Sequence, residues 1–270
     1  MRTTRISATR WHRHPTRLYV RPHKFVMSDK VSLTRRVWRA IYPKISRISI
    51  VQHVLRARNS LIHYRSDPLT ITQYLTTCRP ACLHLGCGPH IIPGWLNSDL
   101  HALRPDVICI DASKRFPIDD NLFDYVFTEH MIEHLCLRDA CNALSESFRI
   151  LKPGGRIRVS TPDLDFITSL TNPNLNNDVV DYISWSCEEY TDSPITNGAV
   201  ALNNFVRNWG HQFIFDKATL DWALRVAGFR GVRFFPAGKS ESENLRNLEN
   251  VSRLPPGFVA LESLCAEAVK

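Results

Sequence analysis

From residue 80 onward, short apolar runs alternate with turn-forming clusters. ACLHL (81–85) ends in Gly-Cys-Gly, and WLNSDL (95–100), DVICID (106–111), FDYVFTE (123–129) and RIRVSTP (156–162) follow. Each run is of strand length and rich in β-branched or aromatic residues, which predicts five strands. LRDACNALSESFRILK, between the fourth and fifth, reads as a helix stopped by Pro153, Gly154 and Gly155. DKATLDWALRVAG predicts another helix, with Asp216 as N-cap and Gly228 as its stop, and GVRFFPA (231–237) and LCAEAVK (264–270) supply late strands. Runs apolar on both faces, joined by partly helical connections, predict an α/β protein with a mostly parallel sheet flanked by helices.

The flanks differ. Residues 163–207 are polar and helix-like, broken by Asn and Pro, and read as a helical insertion over the sheet edge. Upstream, Ile48, Val51, Leu55 and Ile62 recur at helical steps beside Arg47, Arg56, Arg58 and Arg65. That pattern suits a helix covering a domain edge or a basic amphipathic helix (45–65) on an anionic membrane surface. Asp67-Pro68 reads as an N-cap followed by a first-turn proline. The expected organisation is a leader (1–26), a basic helical extension (27–79) and a catalytic body (80–270).

Charge sharpens the division. The chain carries a net +8, but residues 1–26 hold 7 Lys+Arg and no acid, and residues 27–80 hold 10 basic against 2 acidic residues. The remaining 190 residues carry 17 basic and 24 acidic side chains, so the body is mildly acidic and lacks the basic groove a nucleic-acid backbone requires. The leader has no apolar core for a secretory signal; it reads as dispensable before Met27 or as an organelle transit peptide. Eight cysteines at irregular spacing, with no CxxC, predict free thiols and a cytoplasmic setting.

Chemistry collects at predicted strand ends, where open parallel sheets bind ligands. Gly86 and Gly88 close the first strand and let a ligand approach the backbone. Asp99 closes the second, placed to accept hydrogen bonds from ribose hydroxyls, and Asp111 closes the third, placed to accept from an exocyclic amine. GCGPHIIPGW lacks the third glycine of a dinucleotide fingerprint, and its prolines leave no room for a phosphate-binding helix. A nucleoside without phosphates fits, with S-adenosylmethionine the leading choice.

In LHLGCG, GWLNSDL, IDASKRFPIDDNLFDYVFTEHMIEHL and FRILKPGGRIRVSTPDL, in that order, the chain resembles the class I S-adenosylmethionine-dependent methyltransferases, especially those of sugar and polysaccharide pathways. The resemblance covers roughly residues 80 to 235. It implies a Rossmann-like seven-stranded fold, with Gly86, Cys87 and Gly88 near the methionine part of the cofactor, Asp99 on the ribose, Asp111 and Ala112 at the adenine, and Glu129 and His130 near the amino-acid end. The short first crossover departs from the commoner pattern. The expected acceptor is a small molecule or saccharide.

EHMIEHL (129–135) contains an HxxEH string, the signature of inverted-type zinc peptidases. That reading leaves the glycines and both aspartates unexplained. Some RNA-terminal and quinone-pathway methyltransferases carry ExxEH here, with a later histidine, and hold a divalent ion; here His130 replaces the first glutamate and His211 of NWGHQF is the candidate later ligand. Metal binding and simple packing both stay open, and no metal ligand is assigned. His134 and His211 are the candidate general bases for a hydroxyl acceptor. A non-catalytic cofactor-binding module and an RNA methyltransferase are the competing functions.

Overall fold

The computed structural model describes residues 67–102 and 104–270. The leader and the predicted helix at 45–65 lie outside those residues. The body begins with α1, a helix over residues 67–77. Seven strands follow: β1 (Cys82–Leu85), β2 (Leu96–Asp99), β3 (Val107–Cys109), β4 (Phe123–Glu129), β5 (Leu151–Pro162), β6 (Arg230–Phe235) and β7 (Ser263–Val269). They form one sheet in the order β3-β2-β1-β4-β5-β7-β6. Strands β1 to β5 run parallel, and β7 runs antiparallel to both β5 and β6. The chain leaves β1 toward β2 and returns on its other side as β4, so the order reverses there and opens a crevice at the carboxyl ends.

The two faces of the sheet are built differently. On one, Leu83, Leu85, Val126, Ile157, Val159, Ala266 and Ala268 form the main core with Ile71 of α1, Leu144 of α2 (Leu137–Ile150) and Leu220 and Leu224 of α6 (Lys217–Val226). The other face carries His84, Asn97, Arg158 and Glu267, all buried, beside Phe127. This corrects the expectation of strands apolar on both faces. No helix occurs in residues 86–95 or 110–122, so the polar face is covered instead by the irregular segment 236–256. Its Leu245 and Leu248 pack with Ile92, Phe127, Trp95 and Tyr125 as a second small core.

His84, Asn97, Arg158 and Glu267 on that face are each hydrogen-bonded, as burial favours. Asn97 accepts from Ile92 N (3.0 Å) and donates to the carbonyls of Ile92 and Trp95, which pins the short first crossover. His84 stacks on Phe127 with centroids 5.1 Å apart and meets Asn97 Oδ1 through Nδ1. Arg158, with no exposed surface, donates to Glu249 and Glu267 at 2.7 and 2.6 Å.

α1 shares the main core through Ile71, Tyr74 and Leu75. Asp67 accepts from Cys109 N (2.8 Å) and Tyr74 Oη donates to Cys82 O (2.9 Å), tying the helix to β3 and β1. The predicted helix stop shifts. α2 ends at Ile150, and Leu151 through Gly155 already belong to β5, with an irregular register against β4.

Residues 163–207 form three helices: α3 (Leu164–Ser169), α4 (Asn177–Tyr190) and α5 (Gly198–Arg207). Asp163, Asn176 and Asn197 cap them through side-chain oxygens. They bury Ile167, Val179, Tyr182, Ile183 and Phe205 in a separate cluster, joined by Phe258 and Leu261 of α7 (Phe258–Glu262). All eight cysteines are free, and among the described residues no helix is long and apolar enough to cross a membrane.

Candidate functional site

The glycine turn follows β1 directly. Gly86 and Cys87 donate their N–H groups to Ser98 O of β2 at 2.9 and 2.8 Å. Gly86 (φ 73) and Gly88 (φ 51) both occupy the left-handed region that an L side chain avoids. They differ in surroundings. A Cβ at Gly88 would meet nothing within 4 Å, whereas one at Gly86 would lie 2.3 Å from Met131 Cγ. Gly88 is therefore the open shelf, while Gly86 makes room for a side chain of the EHMIEHL segment.

Asp99 and Asp111 stand at the ends of neighbouring strands, since Asp99 pairs in register with Cys109. Asp99 accepts from Gly88 N at 2.9 Å and from His101 N at 2.7 Å, one bond per oxygen. Each oxygen keeps a second acceptor position. Asp111 accepts from Ser113 Oγ at 2.6 Å and lies 2.7 Å from Lys114 Nζ. Burial works against its charge, yet Lys114 and Ser113 hold its carboxyl below the ordinary range. Cys87 is buried beneath the turn, and Ala112 packs partly buried against the main core. An open glycine beside a carboxylate with spare acceptor capacity fits a nucleoside ligand.

β4 delivers the second half of the site. Glu129, largely buried, accepts from Asn250 N of the covering segment at 2.9 Å and lies 3.4 Å from His90 Nδ1. His130 follows at φ 46, an uncommon conformation for a side chain of its size, and donates its N–H to Ser160 O. Its Nε2 is 2.6 Å from a guanidinium nitrogen of Arg253 and its Nδ1 3.3 Å from Glu133 Oε1. Ile132–His134 is a single 3-10 turn. HxxEH thus does not lie on an α-helix, and the peptidase arrangement is not formed.

His134 instead meets His211, ring centroids 5.0 Å apart. The chain around Gln212 docks there, because Gln212 N and Phe213 N both donate to Glu133 O. His211 Nδ1 stands 2.7 Å from Phe205 O; a carbonyl only accepts, so Nδ1 carries the proton and Nε2 the lone pair. Burial is the main influence on His211 and lowers its pKa, against the nearby charge of Glu133. Both histidines border a cavity of about 290 Å³ between the segment that follows β4, the helical insertion and residues 253–262. Tyr182, Tyr190, Phe205 and Trp209 form its aromatic side, and Glu133, Arg253 and Glu262 its charged side. Ligand atoms of Glu133, His134 and His211 lie within 4.8 Å of one another.

The structure brings His134 and His211 together, and it sets Gly88 beside Asp99 with Asp111 at the end of the neighbouring strand. The sequence does not single out Glu133, Arg253 or the aromatic wall. Glu133 is visible only as the fourth letter of HxxEH, and Arg253 lies in a segment without periodicity.

Residues 83–159 match the methyltransferase domain family. An uncharacterized 37.1 kDa protein of a transposon from Streptomyces fradiae is 30% identical over 114 residues, covering 33% of this chain and 32% of that protein. The chain thus spans about a third of the length of the curated relative it matches. Among solved structures, a SAM-dependent methyltransferase from Archaeoglobus fulgidus is 18% identical over 78% of this chain and 94% of its own, with a TM-score of 0.45. Phosphoethanolamine N-methyltransferase 2 of Haemonchus contortus, solved with S-adenosyl-L-methionine, is 14% identical over 74% of this chain and 52% of its own, with a TM-score of 0.38. At these scores neither likeness adds to the fold already described. The segment that matches the methyltransferase domain runs from β1 into β5 and holds the glycine turn, both strand-end aspartates and the Glu129-His130 junction.

Proposed function

We propose that this protein transfers a methyl group from S-adenosylmethionine to a small-molecule or carbohydrate-type acceptor seated in the cavity beside His134 and His211. When bound, S-adenosylmethionine supplies a methyl carbon on a sulfonium whose sulfur keeps the electron pair as the methyl leaves. Asp99 would hold the ribose, Gly88 the methionine part, and Asp111 and Ala112 the adenine. A cytoplasmic setting belongs to the same reading and is supported by the free cysteines.

One observation carries the proposal. The segment 129–134 reaches both half-sites, because Met131 packs against Gly86 while Glu133 and His134 line the cavity. Cofactor and acceptor would thus be held on either side of one short, hydrogen-bonded turn, which is the alignment that in-line displacement needs. The burial-lowered pKa keeps His211 neutral near pH 7, so its Nε2 can accept the proton an acceptor loses.

Calorimetry with S-adenosylmethionine and its demethylated product tests the cofactor half. Both should bind, and Asp99→Asn should weaken binding by about tenfold, the worth of one hydrogen bond to a charged acceptor. Absence of binding by either ligand sinks the reading. Isotope transfer from labelled cofactor into a cell extract then separates an enzyme from a module that only binds.

A further inference from the structure

Glu133 is fully buried, with no exposed surface. Its Oε2 accepts from Thr161 Oγ1 at 3.1 Å, while Oε1 has no hydrogen-bond partner in the protein. The nearest candidate cation to Oε1 is His130, and its chemistry is fixed by the other side of its ring. Arg253 faces His130 Nε2 at 2.6 Å, and a guanidinium only donates, so Nε2 accepts and the ring proton sits on Nδ1, 3.3 Å from Oε1 but outside hydrogen-bond geometry. His211 is also neutral. Burial opposes ionisation of Glu133, yet His130 and His134 hold its carboxyl below the ordinary range. One buried carboxylate oxygen is thus left at the cavity without a hydrogen-bond donor, an arrangement that is costly unless a donor completes it.

The cup around that charge has a definite valence. Ligand atoms of Glu133, His134 and His211 lie within 4.8 Å of one another. A single atom can therefore sit within about 2.8 Å of all three, an ordinary hydrogen-bond distance. Each of the three offers an acceptor: a carboxylate oxygen of Glu133, a ring nitrogen of His134 and a ring nitrogen of His211. A protonated primary amine presents three donors from one nitrogen, whereas a hydroxyl presents one and leaves two acceptors unfilled. Behind the cup, Tyr190 and Trp209 meet at 5.0 Å and Phe205 and Trp209 at 5.6 Å, walls whose ring quadrupoles attract a cation. A bare divalent ion would satisfy the carboxylate but leaves those walls without a part.

We propose that the cup of Glu133, His134 and His211 binds a protonated amine, so that the methyl acceptor of this protein is a small amine held by its nitrogen. This rests on the methyl-transfer reading above. His211 Nε2 takes one N–H proton and becomes an imidazolium, and the nitrogen keeps the bonding pair as its nucleophilic lone pair. The proton later leaves to solvent through the cavity mouth.

The test is calorimetric titration of benzylammonium and benzyl alcohol, which share shape and differ in the donor group, into the full chain at pH 7. Benzylammonium should bind at least tenfold tighter, and Glu133→Gln should abolish that preference while circular dichroism shows an intact fold. If Glu133→Gln unfolds, His211→Asn replaces it and should cost benzylammonium at least threefold with benzyl alcohol unchanged. Equal binding of the two probes overturns the inference. So does a preference that survives in the folded Glu133→Gln variant, or one equivalent of a divalent metal in purified protein whose chelation removes the preference. S-adenosylmethionine titrated into the same samples separates the two levels: intact cofactor binding without amine preference overturns only the amine assignment.

Discussion

Glu249 is the hinge pin between the sheet and its irregular cover, and its removal should be among the most damaging single changes in the body. Its Oε1 accepts from Arg158 Nε at 2.7 Å and its Oε2 from Gly238 N at 2.8 Å. Glu249→Ala strands both donors, of which Arg158 has no exposed surface and Gly238 is half-buried. A guanidinium N–H and a backbone N–H left unpaired cost together about 3–5 kcal/mol. Glu267 remains on Arg158 at 2.6 Å, and relief of repulsion between the two carboxylates offsets part of the loss, so the lower end of about 3 kcal/mol is expected. For a body of this size that corresponds to a fall in Tm of roughly 6–12 °C, measurable by scanning calorimetry. Hydrogen exchange should quicken at Asn247, whose N–H bonds to Gly238 O, and at Asn250, whose N–H bonds to Glu129, before it quickens in β4. A Tm within 2 °C of wild type (~2 °C, about half a kcal/mol), with exchange unchanged at both amides, would refute the anchoring role.

Two further outcomes follow from local geometry. Gly86→Ala should destabilise by about 1–3 kcal/mol, since it combines a left-handed backbone with a Cβ 2.3 Å from Met131 Cγ; adding Met131→Ala should recover the clash and leave the backbone strain, as a double-mutant cycle in urea would show. His84 gives a pH dependence with a defined sign: burial lowers its pKa from 6.5 to about 4, against its bond to Asn97, so the unfolded chain binds the extra proton between those values. Its contribution is complete above the unfolded pKa and lost as pH falls toward about 4, amounting to about 2 kcal/mol at pH 5. Urea unfolding at pH 7 and pH 5 should show a smaller loss in His84→Gln than in wild type; equal losses would show that burial does not set the titration.

The helix-covered side of the sheet was plain in the sequence because its signals are local. FDYVFTE forms β4 from Phe123 to Glu129, and Asp216 caps α6 by accepting from Thr219 N. The cofactor-side turn was legible for the same reason, as glycines and carboxylates follow strand-length runs at short spacing. What stayed hidden depends on distant partners. Arg158 in RIRVSTP reads as a strand residue, but only Glu249 and Glu267, about a hundred residues on, make its burial tolerable. Gly86 reads as a ligand shelf until Met131 is seen against it. Segment 236–256 has neither helical nor strand period, so nothing in its pattern announced a sheet cover. Glu133 looked like a motif letter because its isolation is a property of the folded surroundings.

The division of the sheet into two unlike faces has a consequence for the order of events during synthesis. Phe127 emerges from the ribosome more than a hundred residues before Leu245 and Leu248, which complete the small core around it. The helices opposite are mostly encoded near the strands they cover, so that side can consolidate early, while its reverse stays wet and adhesive until translation is almost finished. A nascent chain stalled before residue 236 would therefore present an open, half-dressed sheet, a natural target for chaperones and a hazard for aggregation.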